Sequence, residues 1–378
     1  MSNKIRIFLI IIIMVGTIAA TYWYMQETTG KVTVVEEKKW RLHDNLMGIS
    51  FCDDDLNGWA VGQYGTVLHS INAGKTWEYQ KSGVTTDLLN VCAKNPETAW
   101  AVGNNGVVIH TVDGGKNWKK VQVGKKYVFN DICFLNATEG FIVGEYQSVL
   151  RTVDGGATWQ LINGGEPPPI DFSQVDQNQR LDENFGSEEE VYTLNSIYFA
   201  DSRNGWAVGE MGTIIATSDG GTTWTKQKSG IDHSLMDVEF FDTSLGFAVG
   251  LDGTILKTVD GGATWTRDKP TVITHYYGVT FKRYGSNIER KDAIAVGQGV
   301  IATYSFFKKD YLQNWVPALE MKYNIYFNWM NKVAMISKTG ERVIAVGQEG
   351  LILCSESGGN EWDIIQYPEK PVELVLNP

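Results

Sequence analysis

Carboxylates at regular intervals are the groups in this 378-residue chain best placed to do chemistry. Glu145, Glu210 and Asp252 each sit in a short polar turn, and two such groups at a fixed separation are what glycoside hydrolysis asks of its acid and its base or nucleophile. Asp113, Asp154, Asp219 and Asp260 each head an Asp-Gly-Gly sequence, where a carboxylate could hold a metal ion or accept backbone N–H groups. Recurrence separates these uses. An acid repeated at the same place in every intact unit belongs to the scaffold, whereas a catalytic pair is needed once. The histidines, His43, His69, His110, His233 and His275, show no His-Glu-x-x-His or comparable spacing, and no two cysteines have zinc-ligand spacing. The chain is therefore expected to hold no metal and no cofactor, and not to be an enzyme.

The elements that position these acids are read from a repeat. Thr111 to Trp118, Thr152 to Trp159, Thr217 to Trp224 and Thr258 to Trp265 are near-copies, Ser70 to Trp77 is a looser one and Ser355 to Trp362 a worn one. Trp77, Trp118 and Trp159 fall 41 residues apart, as do Trp224 and Trp265, and a period of that size marks stacked supersecondary units. Each unit holds four short apolar runs separated by Gly, Asn and Asp, the pattern of a four-stranded antiparallel meander. The second run barely alternates, so both its faces are buried, as happens when sheets stack around an axis. Its large residue recurs as Trp59, Trp100, Phe141, Trp206, Phe247, Ile294 and Ile344. Seven units predict an all-β, seven-bladed β-propeller of four-stranded antiparallel blades over residues 46–367.

In this reading the Asp box is a turn between third and fourth strands. Asp113, Asp154, Asp219 and Asp260 accept N–H groups inside the turn, the glycines supply the backbone angles, and Trp77, Trp118, Trp159, Trp224 and Trp265 bury their rings against a blade. Units six and seven are irregular, with Ser305 to Gln313 in place of a box. Ring closure is open between Trp40, as an orphan fourth strand, and the run Trp362 to Tyr367.

Charge and hydropathy bound the partners. The formal charge is −11, and residues 165–191 interrupt the 41-residue rhythm with eight carboxylates, Glu188, Glu189 and Glu190 among them, against Arg180 alone. Such a Pro- and acid-rich insertion reads as an exposed loop. Nucleic acid needs a basic surface and is not expected, nor is a small-molecule ligand. Residues 7–25 are apolar, follow Lys4 and Arg6, and end in aromatics, which predicts an N-terminal transmembrane helix acting as a signal anchor. Residues 1–6 are then cytoplasmic, 26–45 form a tether that could supply a closing strand, and the propeller is extracytoplasmic, periplasmic or lumenal, with a tail at 368–378. A cleaved signal peptide competes, with Thr17-Ile-Ala19 as its site. Cys52, Cys92 and Cys133 lie in or beside first strands, and buried free thiols or a disulfide both fit them.

The turns between second and third strands line up around the predicted ring on the face that also carries the loops between units. Gln63, Asn104, Glu145, Glu210, Asp252, Gln298 and Gln348 are the candidate partner-binding residues there, together with Glu188 to Glu190.

The Asp-Gly-Gly phrase resembles the Asp box of sialidases. That family uses an arginine triad and a Tyr-Glu pair, yet this chain has nine arginines, none at repeated ring-facing positions, and lacks the Phe-Arg-Ile-Pro phrase. The phrases Asn57 to Gly62, Asn204 to Gly209 and Gly246 to Gly250, each followed by an Asp box and Trp, resemble the photosystem II stability and assembly factor family from about Leu46 to Tyr367. The resemblance implies a non-catalytic chaperone that binds a subunit of a membrane complex, in that family partly through clustered arginines. Few arginines, an acidic insertion and an anchor in place of a lipid-modified cysteine set this chain apart. A sialidase-like glycan-binding or glycan-hydrolysing module is the alternative. Solvent-facing aromatics with paired carboxylates would favour it, and a broad, flat polar face would favour protein.

Overall fold

The computed structural model describes residues 43–165, 192–282, 291–305, 315–318, 320–321, 328–336 and 341–368. The expected anchor at 7–25, Trp40, nearly all of the acidic insertion, most of Ser305 to Gln313 and the tail lie outside them. Among the described residues no helix is long and apolar enough to cross a membrane.

Seven antiparallel sheets follow one another along the chain, as blades 1 to 7 at 46–80, 88–121, 129–163, 194–227, 235–268, 276–317 and 330–364. Each is a four-stranded meander, and blade 7 gains a two-residue outer strand, Glu320–Met321, parallel to Glu361–Ile364. Each first strand neighbours the first strand of the next blade, and that of blade 7 neighbours that of blade 1, so the first strands surround the axis. Second strands such as Gly58–Gly62 and Gly205–Gly209 are buried throughout. Seven apolar clusters fill the seven gaps between blades. The one joining Leu46, Ile49 and Trp77 to Ile344 and Val346 closes the ring with the same chemistry as the other six.

The Asp boxes work as interblade wedges. In the box of blade 4, Thr217 Oγ1 donates to Asp219 Oδ1 (2.8 Å) and accepts from Gly221 N (2.9 Å), while Asp219 Oδ1 accepts from Thr223 N (2.9 Å). The same bonds recur around Asp113, Asp154 and Asp260, and the worn copy keeps the pattern with Ser357 Oγ accepting from Glu361 N. The box's second glycine has positive φ and no room for a side chain. A Cβ on Gly221 would lie 2.5 Å from Phe141 of blade 3, and one on Gly74 would meet Ile344 of blade 7. The large second-strand residue of one blade therefore seats against the box of the next. Gln80 bridges the seam between blades 1 and 2, accepting from Trp59 and Trp118 Nε1 and donating to Gly114 O. His69 and His110 stack on Trp59 and Trp100 at 4.2 and 4.4 Å, and burial holds His69 neutral, its pKa pulled down to about 4.

Hydrogen bonds from Asn117, Thr158 and Thr223 hold Asp113, Asp154 and Asp219 down at about 2, against an ordinary 3.8. A lowered folded pKa means the contribution is present above pH 4 and lost as pH falls toward 2. Thermal scans should show the melting temperature falling through that window. Asp219→Ala should lower it at neutral pH, whereas Asp219→Asn should keep the turn, as Asn72 does in blade 1, where its Oδ1 accepts from Thr76 N. An alanine variant that melts like the wild type would remove the staple role.

The C-terminal run takes the fourth place of blade 7: Glu361–Ile364 pairs with Ile352–Ser355. Closure adds side-chain clasps. Arg342 Nη1 donates to Ala73 O (3.1 Å), Glu349 N to Asn45 Oδ1 (2.7 Å), and the Tyr367 ring packs on His43 at 4.4 Å.

Candidate functional site: the channel mouth

On one face, seven turns surround the end of the channel. In each, the N–H of the first turn residue donates to the carbonyl that precedes its blade's first strand, from Gln63 to Asn45 through Glu210 to Thr193 to Gln348 to Trp329 (2.8–3.1 Å). The preceding glycine makes this possible. A Cβ on Gly62, Gly103, Gly144, Gly209, Gly250, Gly297 or Gly347 would lie 2.0–2.1 Å from that same carbonyl oxygen. The Asp boxes bond instead to the hairpins between first and second strands, for example Gly220 N to Arg203 O, and so occupy the opposite face.

Gln63, Asn104, Glu145, Glu210, Gln298 and Gln348 all take the first place in their turns, and Asp252 takes the second, where φ is +53°. The ring brings these seven together around one mouth. Two of the acids have local work: Glu145 Oε2 accepts from Val128 N (2.8 Å) and Glu210 Oε2 from Thr193 N (3.0 Å). Asp252 N donates to His275 Nδ1 (3.0 Å), leaving the Asp252 side chain 62% exposed. Gly165 and Tyr192, the described residues on either side of 166–191, are both tied to the turn of blade 3 on this face, Gly165 N to Tyr146 O and Gln147 N to Tyr192 O. Glu188 to Glu190 lie outside the described residues.

Below the mouth the structure reveals a polar belt that sequence reasoning missed. The third residue of each first strand is Gly48, Asn90, Asp131, Ser196, Asp237, Gly278 or Lys332. Asn90 Nδ2 donates to Asp131 Oδ1 (2.6 Å), Ser196 Oγ lies 3.0 Å from Asp131 Oδ2 and 2.8 Å from Asp237 Oδ1, and Lys332 Nζ reaches across blade 6 to Asp237 Oδ1 (2.7 Å). First strands are edge strands, with N–H groups facing the preceding blade that need acceptors. Asp131 Oδ2 takes Ile197 N and Asp237 Oδ2 takes Val279 N, both at 2.9 Å. Asn130, Asn195 and Asn331 donate to the first-strand carbonyls of Leu194, Leu235 and Leu46 in the following blades. Burial pushes Asp131 upward against the pull of Lys332 and of Ile197 N. Lys332 is disfavoured by burial, yet Asp237 and Asp131 outweigh that and hold it above the ordinary lysine value. The signal in sequence was a polar residue at one fixed offset in otherwise apolar runs.

The belt's carboxylates are occupied by donors from the chain itself, and among the described residues no cluster of three or more His, Cys, Asp or Glu side chains could hold a metal ion. Cys52, Cys92, Cys133 and Cys354 are free thiols; burial pushes Cys52 up to about 12 and Cys92 to about 11, far from the thiolate form. The mouth also carries exposed apolar side chains, Tyr64, Met211, Ile273 and Trp329.

Residues 30–128 match the family described as photosynthesis system II assembly factor YCF48. Among solved structures, YCF48 bound to a D1 peptide and YCF48 from Cyanidioschyzon merolae each align with TM-score 0.61 at 18% identity, covering 83% of this chain and 94% and 96% of theirs. A xyloglucanase of family GH74 from Xanthomonas campestris aligns with TM-score 0.65 at 11% identity; this chain spans 55% of it, and 86% of this chain is covered. No curated protein matches. The ring thus shares the fold of the YCF48 propellers, and over its first two blades the sequence resembles the photosystem II assembly factor-like family.

Proposed function

We propose that this chain is a non-catalytic, membrane-anchored, extracytoplasmic propeller that binds protein subunits and assists the assembly or stabilisation of a membrane complex. The observation that carries this reading is the match of residues 30–128 to an assembly-factor family, whose solved relative holds a peptide. The chemistry of the mouth supports the non-catalytic part, since Glu145 and Glu210 are bonded to backbone amides and the belt acids to their neighbours. The anchor reading rests on residues 7–25; a mature N-terminus near Ala20 in membrane-extracted protein would make that segment a cleaved signal instead.

Crosslinking in native membranes, with identification of the captured proteins, tests the function. A carboxylate-rich face steers a basic partner mainly through its association rate. Replacing Glu188, Glu189 and Glu190 with Gln should therefore slow association at low salt and flatten its salt dependence while leaving melting unchanged. An unchanged rate would place the interface elsewhere.

The second reading, a glycan-binding or glycan-hydrolysing module, is favoured by the exposed rings of Tyr64 and Trp329 and the likeness to a xyloglucanase. Saturable binding or cleavage of an oligosaccharide, with no protein captured, would select it.

A further inference from the structure

Building on the protein-binding reading, we propose that Ile273, His275, Tyr277 and Trp329, edged by Asp252 and Gln298, form a docking site for a partner segment that carries an aromatic or aliphatic side chain flanked by basic residues. Among the described tryptophans Trp329 alone is exposed, at 45%. The others serve the scaffold in second strands or at the start of fourth strands. Trp329 stands just before the first strand of blade 7, a place held in the other blades by Asn45, Asp87, Val128, Thr193, Ser234 and His275. What the fold takes from that place in every blade is a carbonyl, here the acceptor for Gln348 N at 2.8 Å. A tryptophan side chain is thus not required there by the ring.

The surroundings make it a usable anchor. Its backbone is pinned by a bridge to Gln298 and by the bond from Gln348, so the ring is carried on a rigid support. The Tyr277 ring lies 5.8 Å away at 31°, His275 lies 6.3 Å from Tyr277, and Ile273, two residues before His275 and 82% exposed, lies against the turn at Gly253. Aromatic anchors on preorganised backbone supply most of the binding energy at protein interfaces, and surrounding charge supplies selectivity. Asp252 presents an open carboxylate at the edge of the patch, with Arg267 Nη2 on its carbonyl at 3.2 Å, and Asp87, Glu145, Glu210 and Glu349 add carboxylates in or beside the same ring of turns. A basic flank on the partner complements this rim, and its apolar side chain would cover the rings.

The test uses the full-length protein in detergent and three probes: an acetylated Lys-Lys-Phe-Leu-Lys-Lys peptide, its Glu-Glu-Phe-Leu-Glu-Glu counterpart, and cellohexaose. The lysine peptide should bind, and more tightly than the glutamate peptide. Trp329→Ala should weaken it by at least about tenfold, and Asp252→Asn should weaken it less while flattening its salt dependence. Melting should stay unchanged in both, because the side chains replaced are exposed. Equal binding of both peptides, absence of binding by the lysine peptide, or wild-type affinity in Trp329→Ala overturns the site. Cellohexaose binding that is lost in Trp329→Ala while the peptides are ignored overturns it in favour of a saccharide platform. The broader reading is judged separately: a crosslinked membrane protein captured equally by Trp329→Ala leaves the assembly role standing without this site, whereas no protein captured by either form removes the role itself.

Discussion

Lys332→Met should lower the unfolding free energy by about 3–5 kcal/mol, the usual cost of stripping a partner from a buried ion pair. Asp237 is almost fully buried and Lys332 largely so, and the methionine would fill similar space while leaving Asp237 with Ser196 and Val279 as its donors. Asp131, two blades away in the same belt, would lose its neutralising charge as well. Replacing a buried pair together is far milder than breaking it, so Asp237→Asn combined with Lys332→Met should recover much of the loss. Denaturant unfolding of the two variants and the wild type decides the matter. A single variant as stable as the wild type would mean that water enters the channel and shields the acids. The pH dependence has a defined sign. Because the folded lysine pKa is raised, the pair's contribution is fully present below about 10.5 and is lost only as pH rises through the higher folded value.

This belt also marks where sequence reasoning stops. The blades were legible because each repeat keeps the same residue type at the same place: Trp59, Trp100 and Trp206 in second strands, Asp113, Asp154, Asp219 and Asp260 in boxes. Even the worn box around Ser357 could be placed, since a hydroxyl can accept the same N–H. The belt uses a different residue in nearly every blade, Asn90, Asp131, Ser196, Asp237 and Lys332, with Gly48 and Gly278 where neighbours crowd in. Its logic is complementarity across the axis, which no single repeat displays. The same holds for the mouth. Its ring of turns followed from the meander, but the bonding of Glu145 and Glu210 to Val128 and Thr193 depends on how each turn folds back on its own first strand. Trp329 had no repeat to announce it, because it fills a place where the fold fixes the main chain and leaves the side chain free. Ring closure was undecidable from pattern alone. It is made by the same interblade packing as every other seam, with Ile344 set against Gly74.

Gly209→Ala should be at least as damaging as ordinary overpacking and cost about 3 kcal/mol or more. The added Cβ would lie 2.0 Å from Thr193 O and 2.9 Å from the Leu194 Cα, and both are backbone atoms that cannot swing aside. The φ of Gly209 is −168°, which any residue can adopt, so close approach and not backbone strain is the cause. Two bonds depend on the approach: Glu210 N to Thr193 O, and Thr193 N to Glu210 Oε2. Relief of the clash must push the turn away from the first strand, which breaks both and shifts Glu210 at the mouth. Loss of stability and loss of partner association should therefore appear together in this variant. Gly165→Ala is the control, since nothing lies within 4 Å of a Cβ there, and it should stay within about 0.5 kcal/mol of the wild type. If Gly209→Ala melts with the control, the tight seat of the second-strand glycines is not what holds the seven turns in register around the channel.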